Sequence, residues 1–158
     1  MELNALTAIS PIDGRYRKQV HHLDEYFSEF ALIKYRVLIE VEYFLFLADK
    51  KLFPLNASGK KAIREAADHF SIDDALEIKK TEAITNHDVK AVEYFIKNKL
   101  EQAGCGAVKE WVHFGLTSQD INNTSIPLSW KHAIEFEYLP SLLNLNRQVE
   151  LLASSWKE

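Results

Sequence analysis

The 158-residue sequence has little of several things that would mark common protein classes. Its one cysteine, Cys105, cannot form an internal disulfide, which suits a reducing compartment, most simply the cytoplasm. Only 5 glycines and 4 prolines are present, too few for the many turns of a sheet protein of this length. No run approaches the roughly 20 apolar residues of a membrane span, and the N-terminus lacks the pattern of a signal peptide.

The charge balance is close to even. Nineteen basic and 23 acidic residues give a net charge of −4, without the excess of Lys and Arg that binding to nucleic acid requires. A hydrophobic content of 47% is too high for a disordered chain. We therefore expect a folded, all-helical protein of about one domain that binds neither nucleic acid nor a membrane.

Apolar residues recur at helical spacing along most of the chain. From Ser28 to about Lys51 they lie three and four positions apart, which predicts a helix whose buried face holds Phe30, Ile33, Val37, Val41, Phe44 and Ala48. Further helices are predicted over 58–70, 71–81, 85–103, 108–114 and 117–134.

A last apolar stripe, at Leu142, Leu145, Val149, Leu152 and Trp156, follows a predicted re-entry at Pro140. Such a stripe needs helices to pack against. Two interpretations stay open: a chain cut inside a long bundle helix, or a C-terminal helix that docks on its own domain.

The sequence lacks the usual metal and nucleotide signatures. Its histidines, at positions 21, 22, 69, 87, 113 and 132, are not spaced as zinc ligands. Neither a GxxxxGK nor a GxGxxG loop occurs. We therefore expect no metal site, and neither of the commonest nucleotide-binding loops.

Two T-x-x-D tetrapeptides, residues 85–88 and 117–120, each precede a helical pattern. The simpler interpretation is a helix cap, in which threonine begins the helix and aspartate reaches back. The functional interpretation is that free N–H groups and the positive helix end form an anion site. The side chains that would add donors are Asn86, His87, Thr117 and Ser118.

A third segment, Ser10–Tyr16, has turn chemistry in its Pro-Ile-Asp-Gly core. A turn here would present Arg15 and Tyr16 together, a fork of donors beside a hydroxyl. Arg next to Tyr is also common at surface turns, so this segment by itself is weak evidence of function.

Together, the segments SPIDGRY, TNHDVKAVEYF at 85–95 and HFGLTSQDINN at 113–123 resemble the N-terminal part of the adenylosuccinate lyase family, longer bacterial type, within the fumarase/aspartase superfamily. The resemblance implies a β-elimination that releases fumarate from adenylosuccinate, giving AMP, and from the succinylated aminoimidazole carboxamide ribotide of purine synthesis. It implies no cofactor. The substrate would carry a phosphate at one end and two carboxylates at the other.

The resemblance also assigns roles to residues on the nucleotide side. Arg15 and Tyr16 match a nucleotide-binding pair of the family. Asn86, His87 and Asp88 match the segment that contacts the nucleotide portion, with His87 on the phosphate or assisting proton chemistry.

On the succinyl side, Thr117 and Ser118 match the pair that hydrogen-bonds the carboxylates. Gln119 stands where relatives often have Glu. Lys90 and Asp120 are candidates for support of the site, although surface and capping roles explain them equally well.

The family's general-acid histidine lies in a THGQ-type segment and its general-base serine in a GSSxMPxKxNP-type loop, and neither motif occurs in these 158 residues. We therefore expect both groups downstream of Glu158, so that this piece is inactive by itself. The expected organisation is an all-helical domain over 1–114 and the start of the central bundle over 115–158. The full-length protein is expected to be a homotetramer.

Two alternatives stay open. Another fumarate-releasing lyase of the superfamily, such as argininosuccinate lyase, would share the TSxD element. A non-catalytic helical interaction module would use both T-x-x-D elements only as caps.

Overall fold

The computed structural model describes residues 1–157, and within that range it contains helices and turns but no β-strand. This confirms the all-helical prediction. The helices are α1 (Arg17–Val20), α2 (Asp24–Phe27), α3 (Glu29–Asp49), α4 (Ala57–Asp68), α5 (Ile72–Thr85), α6 (Asp88–Gln102), α7 (Ser118–Ala133) and α8 (Leu139–Ser155).

Helix α3 is the central element, and α2, α4, α5, α6 and α7 all contact it. Ser28 begins it as predicted, because its hydroxyl accepts the Ala31 N–H at 3.1 Å. Every residue of the predicted apolar face is buried: Phe30, Ile33, Val37, Val41, Phe44 and Ala48.

Short side-chain caps start α4 and α5. The Asn56 side chain accepts the Gly59 N–H at 2.7 Å, and the Ser71 hydroxyl accepts the Asp74 N–H at 3.2 Å. The predicted capping box at Ser71 is confirmed. Gly59 is needed for close packing, since a Cβ there would meet the Cys105 Sγ at 2.6 Å.

The prediction that Thr85 caps the following helix is wrong. Helix α5 runs four residues beyond its predicted end near Thr81, and its last residue is Thr85. The Thr85 hydroxyl therefore donates back to the Thr81 carbonyl at 3.1 Å. His87 is the residue that caps α6.

Two further predictions are wrong. The predicted helix over 108–114 is a 3-10 segment, Gly106–Trp111, bounded by the turn at Gly104 and Gly115. The sequence predicts that the chain enters a new helix at Pro140. The structure has one continuous helix there, because a π-helical turn, Ile134–Tyr138, joins α7 directly to α8. In that turn the Leu139 N–H donates to the Ile134 carbonyl, and this wider turn accommodates the proline that follows.

Helix α8 has no buried residue. The predicted stripe is exposed along its length, from 38% at Leu142 to 77% at Trp156. The alternative that this helix docks on its own domain is therefore wrong for the described residues.

The N-terminal segment contains a charge cluster that the sequence analysis did not predict. The Arg17 guanidinium donates to both carboxylate oxygens of Asp24, each at 2.6 Å, and to Asp13 at 2.8 Å. Asp13 in turn accepts the Ser10 N–H at 2.8 Å, closing the predicted turn. This cluster secures the segment that carries Arg15 and Tyr16.

Among residues 1–157, no helix combines the length and apolar character needed to cross a membrane. The division at residues 114 and 115 stays a prediction. Helix α7, which begins the proposed second part, packs along α3 of the first.

The core gives a direct stability prediction. Replacing fully buried Phe44 by alanine is expected to lower the free energy of unfolding by about 3–5 kcal/mol, through lost burial and the cavity left behind. Phe46 lies on the same helix but is 52% exposed, so Phe46→Ala should change stability by less than about 1 kcal/mol. Urea denaturation of both variants measures the difference, and equal losses would contradict the assigned core.

Candidate functional site

Two helix N-termini meet at one place on the surface. His87 caps α6, and Ser118 is the first residue of α7. The His87 Nε2 lies 3.5 Å from the Ser118 Oγ, although the residues are 31 positions apart in the chain. The structure thus brings together residues from both T-x-x-D segments.

Asn86 makes the sharp turn between α5 and α6. Its backbone is left-handed, with φ 51° and ψ 33°, and its N–H donates to the Glu82 carbonyl at 2.8 Å. Asparagine is one of the few residues besides glycine that adopts this conformation readily. Asn86 directly precedes His87 in the sequence, and its side chain is exposed.

The capping contact of His87 determines which ring nitrogen carries the proton. The Nδ1 accepts the Lys90 N–H at 3.1 Å, so in this arrangement Nδ1 is unprotonated. The Nε2 of the neutral ring is therefore the protonated nitrogen, and it faces Ser118. A donor is thus presented at the point where the helix ends meet.

Thr117 is the N-cap of α7 and is paired with Asp120, as the capping interpretation predicts. Its N–H and its hydroxyl donate to the Asp120 Oδ2 at 2.7 and 2.9 Å. The N–H contact, followed by the hydroxyl contact, lowers the pKa of Asp120 below its usual range. Because its hydroxyl proton is already used, Thr117 can donate to a ligand carboxylate only after that contact changes.

Asp88 is held from within the protein. Its Oδ1 accepts the Val89 N–H at 2.8 Å, and its Oδ2 lies 2.7 Å from the Arg36 guanidinium on α3. Partial burial would raise the pKa of Asp88, but the Val89 N–H and the Arg36 charge outweigh it and hold the pKa below the usual range. The Arg36 Nε also donates to Asn122 of α7 at 2.9 Å.

Sequence reasoning missed a buried cluster beneath this surface. The His113 Nδ1 lies 2.5 Å from the carboxylate of Glu40, which is 0% exposed, and the His113 Nε2 lies 3.9 Å from Glu93. Glu93 is in turn 2.7 Å from the Lys90 ammonium. The available signal was that Arg36 and Glu40 lie on the same face of α3 as Val37 and Val41, where a charged residue needs a partner.

Arg15 and Tyr16 form a separate exposed pair. The Arg15 guanidinium carbon lies 5.4 Å from the centre of the Tyr16 ring, and Tyr16 is 47% exposed. Within residues 1–157, no hydrogen bond or ion pair joins either side chain to the other predicted site residues.

The arrangement offers hydrogen-bond donors of the kind that an anion needs. Two positive helix ends, an imidazole N–H and a serine hydroxyl converge, while both nearby aspartates are turned to protein donors. The described residues hold no group of three or more His, Cys, Asp or Glu side chains arranged to bind a metal ion.

A prediction concerns Asp88. The variant Asp88→Asn keeps an acceptor for Val89 but leaves buried Arg36 without its counter-charge, which should cost about 1 kcal/mol at pH 7, because water screens the partly exposed carboxylate. Because the folded pKa of Asp88 is lowered, its contribution is present above the unfolded pKa of about 3.9 and is lost as the pH falls through the folded value. Urea denaturation should therefore show a smaller difference from the parent chain at pH 3 than at pH 7.

The control is Asp68→Asn, an exposed position at the end of α4. It should match the parent chain at both pH values. If Asp88→Asn lowered the free energy of unfolding equally at pH 7 and pH 3, that result would contradict the ionic link to Arg36.

Comparison with known proteins places the chain among lyases. The model of a family described as "Lyase" matches residues 14–158. The adenylosuccinate lyase of Dictyostelium discoideum is 52% identical over 165 aligned residues, covering 99% of this chain and 35% of the relative. Those of Vibrio cholerae and Escherichia coli are each 42% identical, covering 100% of this chain and 36% of the relative.

The chain thus spans about a third of the length of the curated relatives that it matches. The resemblance found in the three sequence segments is confirmed across nearly the whole chain. With a family model over residues 14–158 and an all-helical architecture, the chain belongs to the lyase family, and its fold is that of the N-terminal domain of the fumarase/aspartase superfamily.

Proposed function

We propose that the complete protein containing this chain is an adenylosuccinate lyase. It would release fumarate from adenylosuccinate to give AMP, and from the succinylated aminoimidazole carboxamide ribotide. The observation that carries the proposal is the convergence of two helix N-termini at His87 and Ser118, in a chain similar to adenylosuccinate lyases over nearly its whole length. The single buried Cys105 supports a reducing compartment, the cytoplasm, for this reaction.

The chemistry explains why a receptor for several anions is needed. Removal of a weakly acidic proton beside a carboxylate builds a dianion, so the site must supply donors where that charge develops. The departing nitrogen also needs an acid. We infer that Ser118 and the start of α7 hold the succinyl carboxylates, and that Asn86 and His87 contact the nucleotide.

The other residues predicted for the site would bind the nucleotide or order the helix starts. Arg15 and Tyr16 would bind the nucleotide from their exposed turn. Thr117 would act mainly by ordering the helix start through Asp120, and Asp88 by anchoring α6 to Arg36.

We further infer that the general acid and general base lie outside these 158 residues, and that the protein works as a homotetramer. The unpartnered stripe of α8 supports assembly, since monomeric proteins rarely expose so long an apolar strip. Residues 115–158 would begin the shared bundle, and residues 1–114 the outer domain.

The first test compares substrates with the complete protein. Fumarate release from adenylosuccinate is expected, with argininosuccinate turned over far more slowly or not at all. Ser118→Ala should lower kcat/KM by about 100-fold, because a donor to developing charge is lost. Ser58→Ala is a matched control, since Ser58 is exposed near the start of α4, and it should behave as the parent. Release from argininosuccinate alone would overturn the substrate assignment.

The second test uses the 158-residue chain by itself. No lyase activity is expected, because we infer that the general acid and the general base lie outside it. Turnover of adenylosuccinate by this chain would show that the acid and base lie within it.

The third test separates a substrate site from a capping module. Titrating AMP into the chain should shift the His87 signals in NMR spectra saturably, while the signals of His69, exposed at the end of α4, stay in place. A uniform, non-saturating response at both histidines would favour a non-catalytic module.

A further inference from the structure

Glu40 is the most deeply buried acid of the site region. It lies in the middle of α3 with 0% of its surface exposed, and one carboxylate oxygen is 2.5 Å from the His113 Nδ1. The other oxygen, Oε2, has no hydrogen-bond partner among the described residues. An acid that is buried at such cost requires an explanation beyond packing.

The partner of Glu40 has an unusual backbone. His113 has φ 61°, in the left-handed region, where a residue other than Gly or Asn costs roughly 1–2 kcal/mol. Its carbonyl accepts the Leu116 N–H at 3.2 Å, which closes the turn that leads through Gly115 to Thr117. The conformation of His113 therefore sets the direction in which α7 begins.

The charges around the His113 ring come from three helices. Glu40 of α3 and Glu93 of α6 face its two nitrogens, and Lys90 neutralises Glu93. After the contacts with Thr117, His113 also contributes to the lowered pKa of Asp120 in α7. Burial raises the pKa of Glu40, while the contact with His113 opposes that rise. The Glu40 contact is the shorter of the two carboxylate contacts to the ring.

We propose that Glu40 is a positioning residue: through His113 it holds the 113–117 turn, and so keeps the start of α7 opposite His87. It touches no substrate in this role. The inference deepens the proposed function and rests on it only for the kinetic readout, because the arrangement of the helix starts is a property of the folded chain.

A merely structural acid would behave differently. Replacing a buried charge by an apolar side chain of similar volume is often neutral for stability, so a packing role predicts that such a variant keeps the site. A positioning role predicts a folded variant whose helix starts have moved.

The experiment compares three substitutions at this position. Glu40→Met removes charge and acceptor, Glu40→Asp keeps the charge but shortens its reach, and Glu40→Gln keeps an acceptor for the His113 N–H. The control is Glu42→Met on the exposed side of α3. NMR spectra of the chain follow the amide signals of Ser118 and His87, and steady-state kinetics of the complete protein give KM and kcat separately.

Glu40→Met and Glu40→Asp should shift both amide signals and raise KM about 10- to 100-fold with a smaller change in kcat, because misplaced donors weaken substrate binding. Glu40→Gln should keep the amide signals and the KM of the parent protein, and so should Glu42→Met. If Glu40→Met does not fold, Glu40→Asp carries the same comparison.

The proposal would be overturned if Glu40→Met and Glu40→Asp kept the Ser118 and His87 amide signals and the KM of the parent protein. If the parent protein does not release fumarate from adenylosuccinate, the proposed function fails, and the Ser118 and His87 signals still decide the role of Glu40.

Discussion

Arg36 and Glu40 lie one turn apart on the buried face of α3, and each binds a different part of the site. Arg36 contacts Asp88 at the start of α6 and Asn122 in α7, at 2.7 and 2.9 Å. Glu40 contacts His113, just before α7 begins. Apolar packing brings the helices together but fixes their relative register loosely. The contacts of Arg36 and Glu40 are directional, so they fix the register more closely. The arrangement of the candidate site therefore depends on them.

This arrangement also resolves an electrostatic conflict. Two helix N-termini that face each other place positive ends side by side, which is unfavourable without negative charge nearby. Asp88 and Asp120 supply that charge, but Asp88 is turned to Arg36 and Asp120 to Thr117. The aspartates thus stabilise the helix starts while leaving the His87 N–H and the Ser118 hydroxyl open to an anion. The T-x-x-D pattern combines capping and binding, so the two interpretations are not exclusive.

Much of the fold could be predicted from the sequence, because apolar spacing reports directly on a buried helical face. The face of α3 and the capping box at Ser71 follow from local rules. The failures have a common cause. Whether Thr85 ends one helix or begins the next depends on Asn86 adopting a left-handed turn, and whether Pro140 breaks a helix depends on the π-helical turn before it. Glu40 and His113 are 73 positions apart, so no local pattern pairs them.

The starts of α6 and α7 face each other at His87 and Ser118, and the candidate site depends on this contact. Its most direct test is a nuclear Overhauser measurement on the isotopically labelled chain, between the His87 ring protons and the Ser118 β-protons. A clear cross-peak is expected in the parent chain, since the Nε2 and Oγ atoms are 3.5 Å apart. It should be lost in Arg36→Met, where the anchor of α6 is removed. Absence of the cross-peak in the folded parent chain, with both residues assigned, would contradict it.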